Sequence, residues 1–120
     1  MAHSFVHCEL NTTDQGKAKS FFGSLFDWKL EDMPMDDGTY TMIGVGDDGV
    51  GGGIVKHPMG GPSVWIPYVG VDDVRASTEK ARSLGAQVVK DVTDIPGMGS
   101  FSIILDPTGA ALGLWQSASQ

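Results

Sequence analysis

A chain of 120 residues has room for one domain with a core of its own, and a hydrophobic content of 41% argues against disorder. With 15 acidic and 8 basic side chains the net charge is −7, which repels phosphate and makes nucleic acid a poor partner. No apolar run approaches the ~20 residues of a membrane-spanning helix, the opening Met-Ala-His-Ser lacks a secretory pattern, and the lone Cys8 cannot close an internal disulfide, so the cytoplasm is the expected compartment.

From Phe5 to Asn11 the chain alternates with a strand period, Val6, Cys8 and Leu10 on one face and His7, Glu9 and Asn11 on the other. Asn11-Thr12-Thr13-Asp14 offers several helix caps, and Thr12 with Gln15 has capping-box spacing. Ala18, Phe21, Phe22, Leu25 and Phe26 then recur as one helical stripe against a polar face of Gln15, Lys17, Lys19 and Ser20. Trp28 to Glu31 reads as a second strand, Pro34 to Gly38 as a turn, and Thr39 to Val45 as a third strand. Gly46-Asp47-Asp48-Gly49 is a hairpin turn into a fourth strand, Val50 to Val55. The pairs Asp36-Asp37 and Asp47-Asp48 are most simply solvated turn residues.

The segment His57-Pro58-Met59-Gly60-Gly61-Pro62 breaks the pattern, after which the same order returns. Val64 to Val71 is a strand, and Asp72-Asp73 caps a helix carrying Val74, Ala81 and Leu84 and stopped by Gly85. Gln87 to Val92, Ser100 to Leu105 and Ala110 to Gln116 follow as strands, separated by Ile95-Pro96-Gly97 and Asp106-Pro107-Thr108-Gly109. Leu25 corresponds to Leu84 and Gly53 to Gly113, an offset of about 60 residues. The expected organisation is a single domain over 1–120, with module one at about 5–57, a linker at about 58–63 and module two at about 64–116.

The segments His7 to Asp14, Phe21-Phe22-Gly23 and Leu25-Phe26-Asp27-Trp28, with Val71-Asp72-Asp73-Val74, Leu84-Gly85-Ala86 and Asp106-Pro107-Thr108-Gly109, resemble the vicinal oxygen chelate superfamily of glyoxalases, bleomycin-resistance proteins and extradiol dioxygenases. The Asp-Pro-Thr-Gly turn followed by an apolar strand ending in Leu114-Trp115-Gln116 is the most specific of these, and the likeness covers nearly the whole chain. The resemblance implies an α+β fold, two βαβββ modules forming an open curled sheet around a cavity, and commonly a homodimer. In that family four His, Gln or Glu side chains from the first and fourth strands of each half hold a divalent ion. Here those positions fall on His7, on Gly52 or Gly53, on Ile66 (or Pro67), and on Gly113. One donor in four remains, so no metal of the usual kind and no cofactor is expected; a rearranged site from His7, Glu9 and His57 is the alternative.

Superposing the two first strands matches His7 with Ile66 and Glu9 with Tyr68. Glu9, desolvated, is the candidate general acid or base, and His7 the candidate partner, with a structural carboxylate and a cavity-wall histidine as the competing readings. Tyr68, Ile66, Trp115, Gly52, Gly53 and Gly113 are the candidate substrate-binding positions; glycines within a strand mark a close approach, here of a ligand into the space a side chain has vacated. For Trp28 and Trp115 the core-packing reading is the favoured one, and Cys8 reads as an inert core thiol. Met33, Met35 and Met98 fall in or beside expected loops. Gly44 to Gly49 matches G-x-G-x-x-G by letter, but a strand follows it, so no helix N-terminus awaits a pyrophosphate. The resulting expectation is a glyoxalase-like lyase, isomerase or epimerase acting on a small oxygenated molecule, with lactoylglutathione lyase the least favoured reaction. The alternative is metal-free sequestration of a small molecule, as in bleomycin-resistance proteins.

Overall fold

The computed structural model describes residues 3–35, 38–57 and 60–118, so Asp36-Asp37 and Pro58-Met59 lie outside the described residues. Its elements run β1 (Phe5–Thr12), α1 (Gln15–Leu25), β2 (Lys29–Met35), β3 (Gly38–Gly44), β4 (Gly52–Lys56), β5 (Val64–Gly70), α2 (Val74–Ser83), β6 (Gln87–Ile95), β7 (Gly99–Leu105) and β8 (Ala111–Ser117). This is the α+β pattern of two βαβββ modules. Contacts divide the chain into two compact units, His7–Ile66 and the stretch from Pro67 onward with the residues before His7.

In the first unit the strand order is β2-β3-β4-β1. β1 runs parallel to β4 with Cys8 opposite Gly52, Glu9 opposite Gly53 and Leu10 opposite Ile54. β3 is antiparallel to β4, with Thr41 opposite Ile54 and Met42 opposite Gly53. A parallel pair needs a long crossover, and α1 with the β2–β3 hairpin supplies it. The crossover packs on one sheet face: Leu10, Ile43 and Ile54 are buried there with Ala18, Phe22, Trp28, Leu30 and Val45. Phe22 is the hub of this layer, its ring 5.7 Å from Trp28 and 5.6 Å from Trp65.

The helix start differs from the capping-box expectation. Asp14 is the N-cap, its carboxylate accepting from the Lys17 N–H, while Thr12 bonds across the Asp14 backbone. Gln15 is thereby freed from the polar face and turns onto the sheet, where its Nε2 reaches Thr39 O at 2.8 Å, Ile54 O at 3.0 Å and Thr41 Oγ1 at 3.3 Å. Thr41, fully buried, donates onward to Asp32 at 2.7 Å, and Lys19 closes the string on the other Asp32 oxygen at 2.6 Å. β2 also runs longer than its sequence suggests, through Pro34 and Met35, where a turn was expected. As the terminal strand of its sheet, β2 leaves one edge unladdered, so a proline costs no ladder bond there.

The second unit repeats the plan in the order β5-β8-β7-β6. β5 is parallel to β8 with Tyr68 opposite Gly113, the counterpart of Glu9 opposite Gly53. Val71, Val74 and Leu114 form its core with Val92 and Leu112. Asp73 caps α2, and Gln116 from β8 adds a second cap by accepting from the Val74 N–H at 2.9 Å. Thr78 and Ser102, both buried, share a 2.8 Å hydroxyl bond between α2 and β7. β6 extends to Ile95, past the expected Val92, with two register shifts where it bulges against β7. The Asp106 carboxylate gathers the Thr108 hydroxyl, the Thr108 N–H and the Ala110 N–H, closing the Asp-Pro-Thr-Gly turn over a left-handed Gly109. Those donors hold the Asp106 carboxyl below the usual carboxylate range, the Thr108 hydroxyl foremost.

Candidate functional site

Strand alternation turns His7, Glu9 and Asn11 to the sheet face opposite Leu10, away from α1. On that face of the first unit they meet one residue that sequence reasoning passed over. Tyr40, from β3, has its hydroxyl 2.7 Å from His7 Nε2, and it donates to Glu9 Oε2 at 3.0 Å. Asn11 Nδ2 donates to the second carboxylate oxygen, Oε1, at 3.3 Å. The His7 and Tyr40 rings stack, 6.3 Å apart and 19° from parallel. His7, Glu9 and Tyr40 are all half-buried. Burial alone lowers the His7 pKa, because the imidazolium loses more hydration than the neutral ring.

Gly53 explains why the tyrosine can reach this position. The β3–β4 register puts Met42 opposite Gly53, so Tyr40 lies on the diagonal and its ring crosses over the glycine. A Cβ built on Gly53 would fall inside the Tyr40 ring, nearest its hydroxyl, far under the 3.0 Å that real Cβ contacts respect. Gly52 answers to a different constraint: a Cβ there would strike the Cys8 carbonyl oxygen across the parallel pair. The glycines do mark close approaches, as expected. What approaches is the protein itself: the backbone of β1 at Gly52 and the ring of Tyr40 at Gly53.

The second unit has a matching device. A Cβ on Gly113 would fall inside the ring of Tyr68, which is buried and meets Phe101 edge-on at 6.2 Å. Trp115 stands opposite Phe101 across β7 and β8, its ring lying over Gly99 at 2.8 Å from that glycine's would-be Cβ. Ile66 is buried on β5, two residues from Tyr68 and on the same strand face. His7, Glu9, Gly53 and Gly52 thus share one unit, while Tyr68, Gly113 and Trp115 share the other. Trp28 lies on the opposite, helix-covered side against Phe22 and Phe26, as core packing. Gly46 to Gly49 lies in the connection between β3 and β4, and β4 begins at Gly52 rather than at the expected Val50. Met33 and Met35 lie within β2 and are exposed, in a strand where a loop was expected.

The donor chemistry does not fit a four-ligand metal centre of the family's type. Gly53 and Gly113 offer no side chain, and each is covered by a tyrosine ring. Among the described residues no three His, Cys, Asp or Glu side chains gather as a metal would require. What the first unit does hold is a string of carboxylate, phenol and imidazole on one sheet face, able to accept, hold and pass a proton. An open groove of about 410 Å³ lies on the other side of the same strand, lined by Leu10, Thr12, Asp14, Lys17, Phe22 and Trp65 among others; His7, Glu9 and Tyr40 take no part in it.

Known proteins similar to this chain agree with the fold. It is 42% identical over 115 residues to a protein of Mycobacterium tuberculosis named "Putative glyoxylase CFP32", covering 91% of this chain and 44% of that protein. It is 24% identical over 124 residues to the anthracycline biosynthesis protein DnrV of Streptomyces peucetius, covering 90% of this chain and 45% of that one. The chain therefore spans under half the length of the curated relatives it matches. Among solved structures, methylmalonyl-CoA epimerase from Mycobacterium tuberculosis superposes with a TM-score of 0.72 at 14% identity, over 95% of this chain and 87% of that one. Residues 4–114 match the family model, and the chain belongs to the Glyoxalase/Bleomycin resistance protein/Dioxygenase superfamily.

Proposed function

We propose that this protein is a glyoxalase-like enzyme, a lyase, isomerase or epimerase, that moves a proton on a small oxygenated metabolite. The observation that carries the reading is the Glu9–Tyr40–His7 string, half-buried and on one sheet face. Proton transfer at a carbon beside a carbonyl needs a base poised near the carbon and a donor near the oxygen. Glu9 is assigned the first task; His7, neutral and bonded to Tyr40 through Nε2, is assigned to position a substrate hydroxyl rather than to donate. Tyr68, Ile66, Trp115, Gly52, Gly53 and Gly113 are assigned to the substrate's surroundings. The names of the 42% identical glyoxylase-type relative and of the structurally similar methylmalonyl-CoA epimerase support this class of substrate. The reaction is proposed to proceed without the four-ligand metal, since glycine stands at two of the positions that would hold it. A reducing, cytoplasmic setting and a homodimer belong to the same proposal, sizing chromatography being the check on the latter.

The test is deuterium wash-in followed by proton NMR. The protein is incubated in D2O with methylmalonyl-CoA and with the hemithioacetal of methylglyoxal and a thiol. Exchange at the carbon beside the carbonyl, abolished by Glu9→Gln with the fold intact, is the expected result. Exchange that persists in Glu9→Gln removes Glu9 from the mechanism. Elemental analysis after incubation with zinc, nickel and manganese completes the test; a tightly held, near-stoichiometric ion overturns the metal-free reading.

A second reading, sequestration without turnover, is favoured by the aromatic rings: Tyr40 over Gly53, and Tyr68, Phe101 and Trp115 in the other unit. It requires that Glu9→Gln lose affinity for a compound from which wild type forms no product.

A further inference from the structure

Tyr40 sits between the two groups to which the proposed reaction assigns work, and its hydroxyl has only one hydrogen. That hydrogen goes to Glu9 Oε2. The 2.7 Å contact with His7 Nε2 must then be filled by a hydrogen from the imidazole. We propose that Tyr40 is the positioning residue of this site, accepting from His7 Nε2–H and donating to Glu9 Oε2, so that it selects the histidine tautomer and aims the carboxylate. The inference rests on the proton-transfer reading for its purpose, though its geometry stands independently of any substrate.

Three observations fix the phenol where it can do this. The ring has no freedom toward the sheet because it lies directly on Gly53. The stacked His7 ring bounds it on one side. The Glu9 carboxylate it addresses is held at its other oxygen by Asn11, so the carboxyl plane is set by two donors rather than one. A tautomer locked at Nε2–H leaves Nδ1 as the imidazole's acceptor. Reversing the ring would exchange those roles, and the phenol opposes the reversal. Among the described residues of its unit, His7 meets the titratable Tyr40 and, through it, Glu9.

The test is long-range proton–nitrogen NMR of the uniformly 15N-labelled protein at neutral pH, with His7 assigned by the signals lost in His7→Gln. Wild type is expected to show His7 as the Nε2–H tautomer, and Tyr40→Phe to shift the population toward Nδ1–H. An Nδ1–H ring in wild type overturns the proposal, and this arm needs no variant that might fail to fold. An unchanged tautomer in a folded Tyr40→Phe overturns it equally. With whichever probe shows exchange above, Tyr40→Phe should lower kcat by about a hundredfold, the scale of a catalytic group displaced by an ångström, and leave KM within about twofold. Equal kcat values refute the positioning role. Should wild type exchange neither probe while Tyr40→Phe still shifts the tautomer, the enzymatic reading fails and the positioning geometry stands.

Discussion

Gly53→Ala is a substitution of one methyl group whose cost can be worked out before it is made. The new Cβ would occupy the Tyr40 ring, so the ring must swing off its seat. Two hydrogen bonds of the hydroxyl go with it, to His7 and to Glu9, at about 1 kcal/mol each net. Displacing a packed side chain adds ~1–3 kcal/mol, and replacing a strand glycine returns roughly 0.5–1 kcal/mol of backbone entropy. The expected loss is ~2–4 kcal/mol, a large share of the ~5–15 kcal/mol that holds a domain folded. The assay is a double-mutant cycle with Tyr40→Ala, read by urea unfolding under far-UV circular dichroism. In the Tyr40→Ala background the same alanine should be neutral or mildly stabilising, leaving a coupling of ~2 kcal/mol or more. A cost below about 0.5 kcal/mol in the wild-type background, or an equal cost in both, would refute the claim that the glycine exists to seat the tyrosine.

Gly113→Ala should behave alike in the second unit, losing ~2–4 kcal/mol because its Cβ enters the Tyr68 ring; thermal unfolding checks it, and an unchanged midpoint would count against the pairing. Gln15→Ala removes contacts to Thr39, Ile54 and Thr41 and should cost ~2–3 kcal/mol in urea unfolding, whereas a residue on a solvated helix face would cost under about 0.5 kcal/mol. The lowered pKa of His7 makes stability fall as pH drops below the ordinary 6.5, because the unfolded chain takes up that proton first. Above 6.5 the ring is neutral in both states and contributes no slope. Urea midpoints measured across pH 5–8 should therefore show a decline on the acid side that is shallower in His7→Gln; identical profiles would mean that burial does not perturb this ring.

Much of the architecture is legible because it rests on local rules. Alternation placed Leu10 opposite His7 and Glu9, the helical stripe found Phe22, and Asp106 to Gly109 announced its turn. Element ends were less legible: Pro34 reads as a breaker unless the strand is known to be terminal, and that is a property of the assembled sheet. Gln15 has the spacing of a solvated position, but the first turn of α1 lies over β3 and β4, which periodicity cannot know. The site was half visible. His7 and Glu9 share a strand and declare their parity. Tyr40 lies 31 residues from Glu9, and only the β3–β4 register brings it onto Gly53. Its alternation with Thr41 and Ile43 did place it on the face opposite the core, which was the one available signal. The glycines of β4 were read as room for a ligand, when they are room for a ring and for the neighbouring backbone.

The shared space of positions 40 and 53 also constrains the history of this chain. A side chain at 53 and a tyrosine ring at 40 in its present seat exclude one another. A lineage that once carried a longer residue at 53 could not acquire this tyrosine until the glycine was in place. The way back carries a cost of the same kind, since a side chain at 53 unseats the tyrosine ring. Gly113 and Tyr68 form a second such ratchet in the other half. Two independent ratchets make the present arrangement hard to reverse by single steps, and directed evolution toward a side-chain donor at 53 or 113 must begin at 40 or 68.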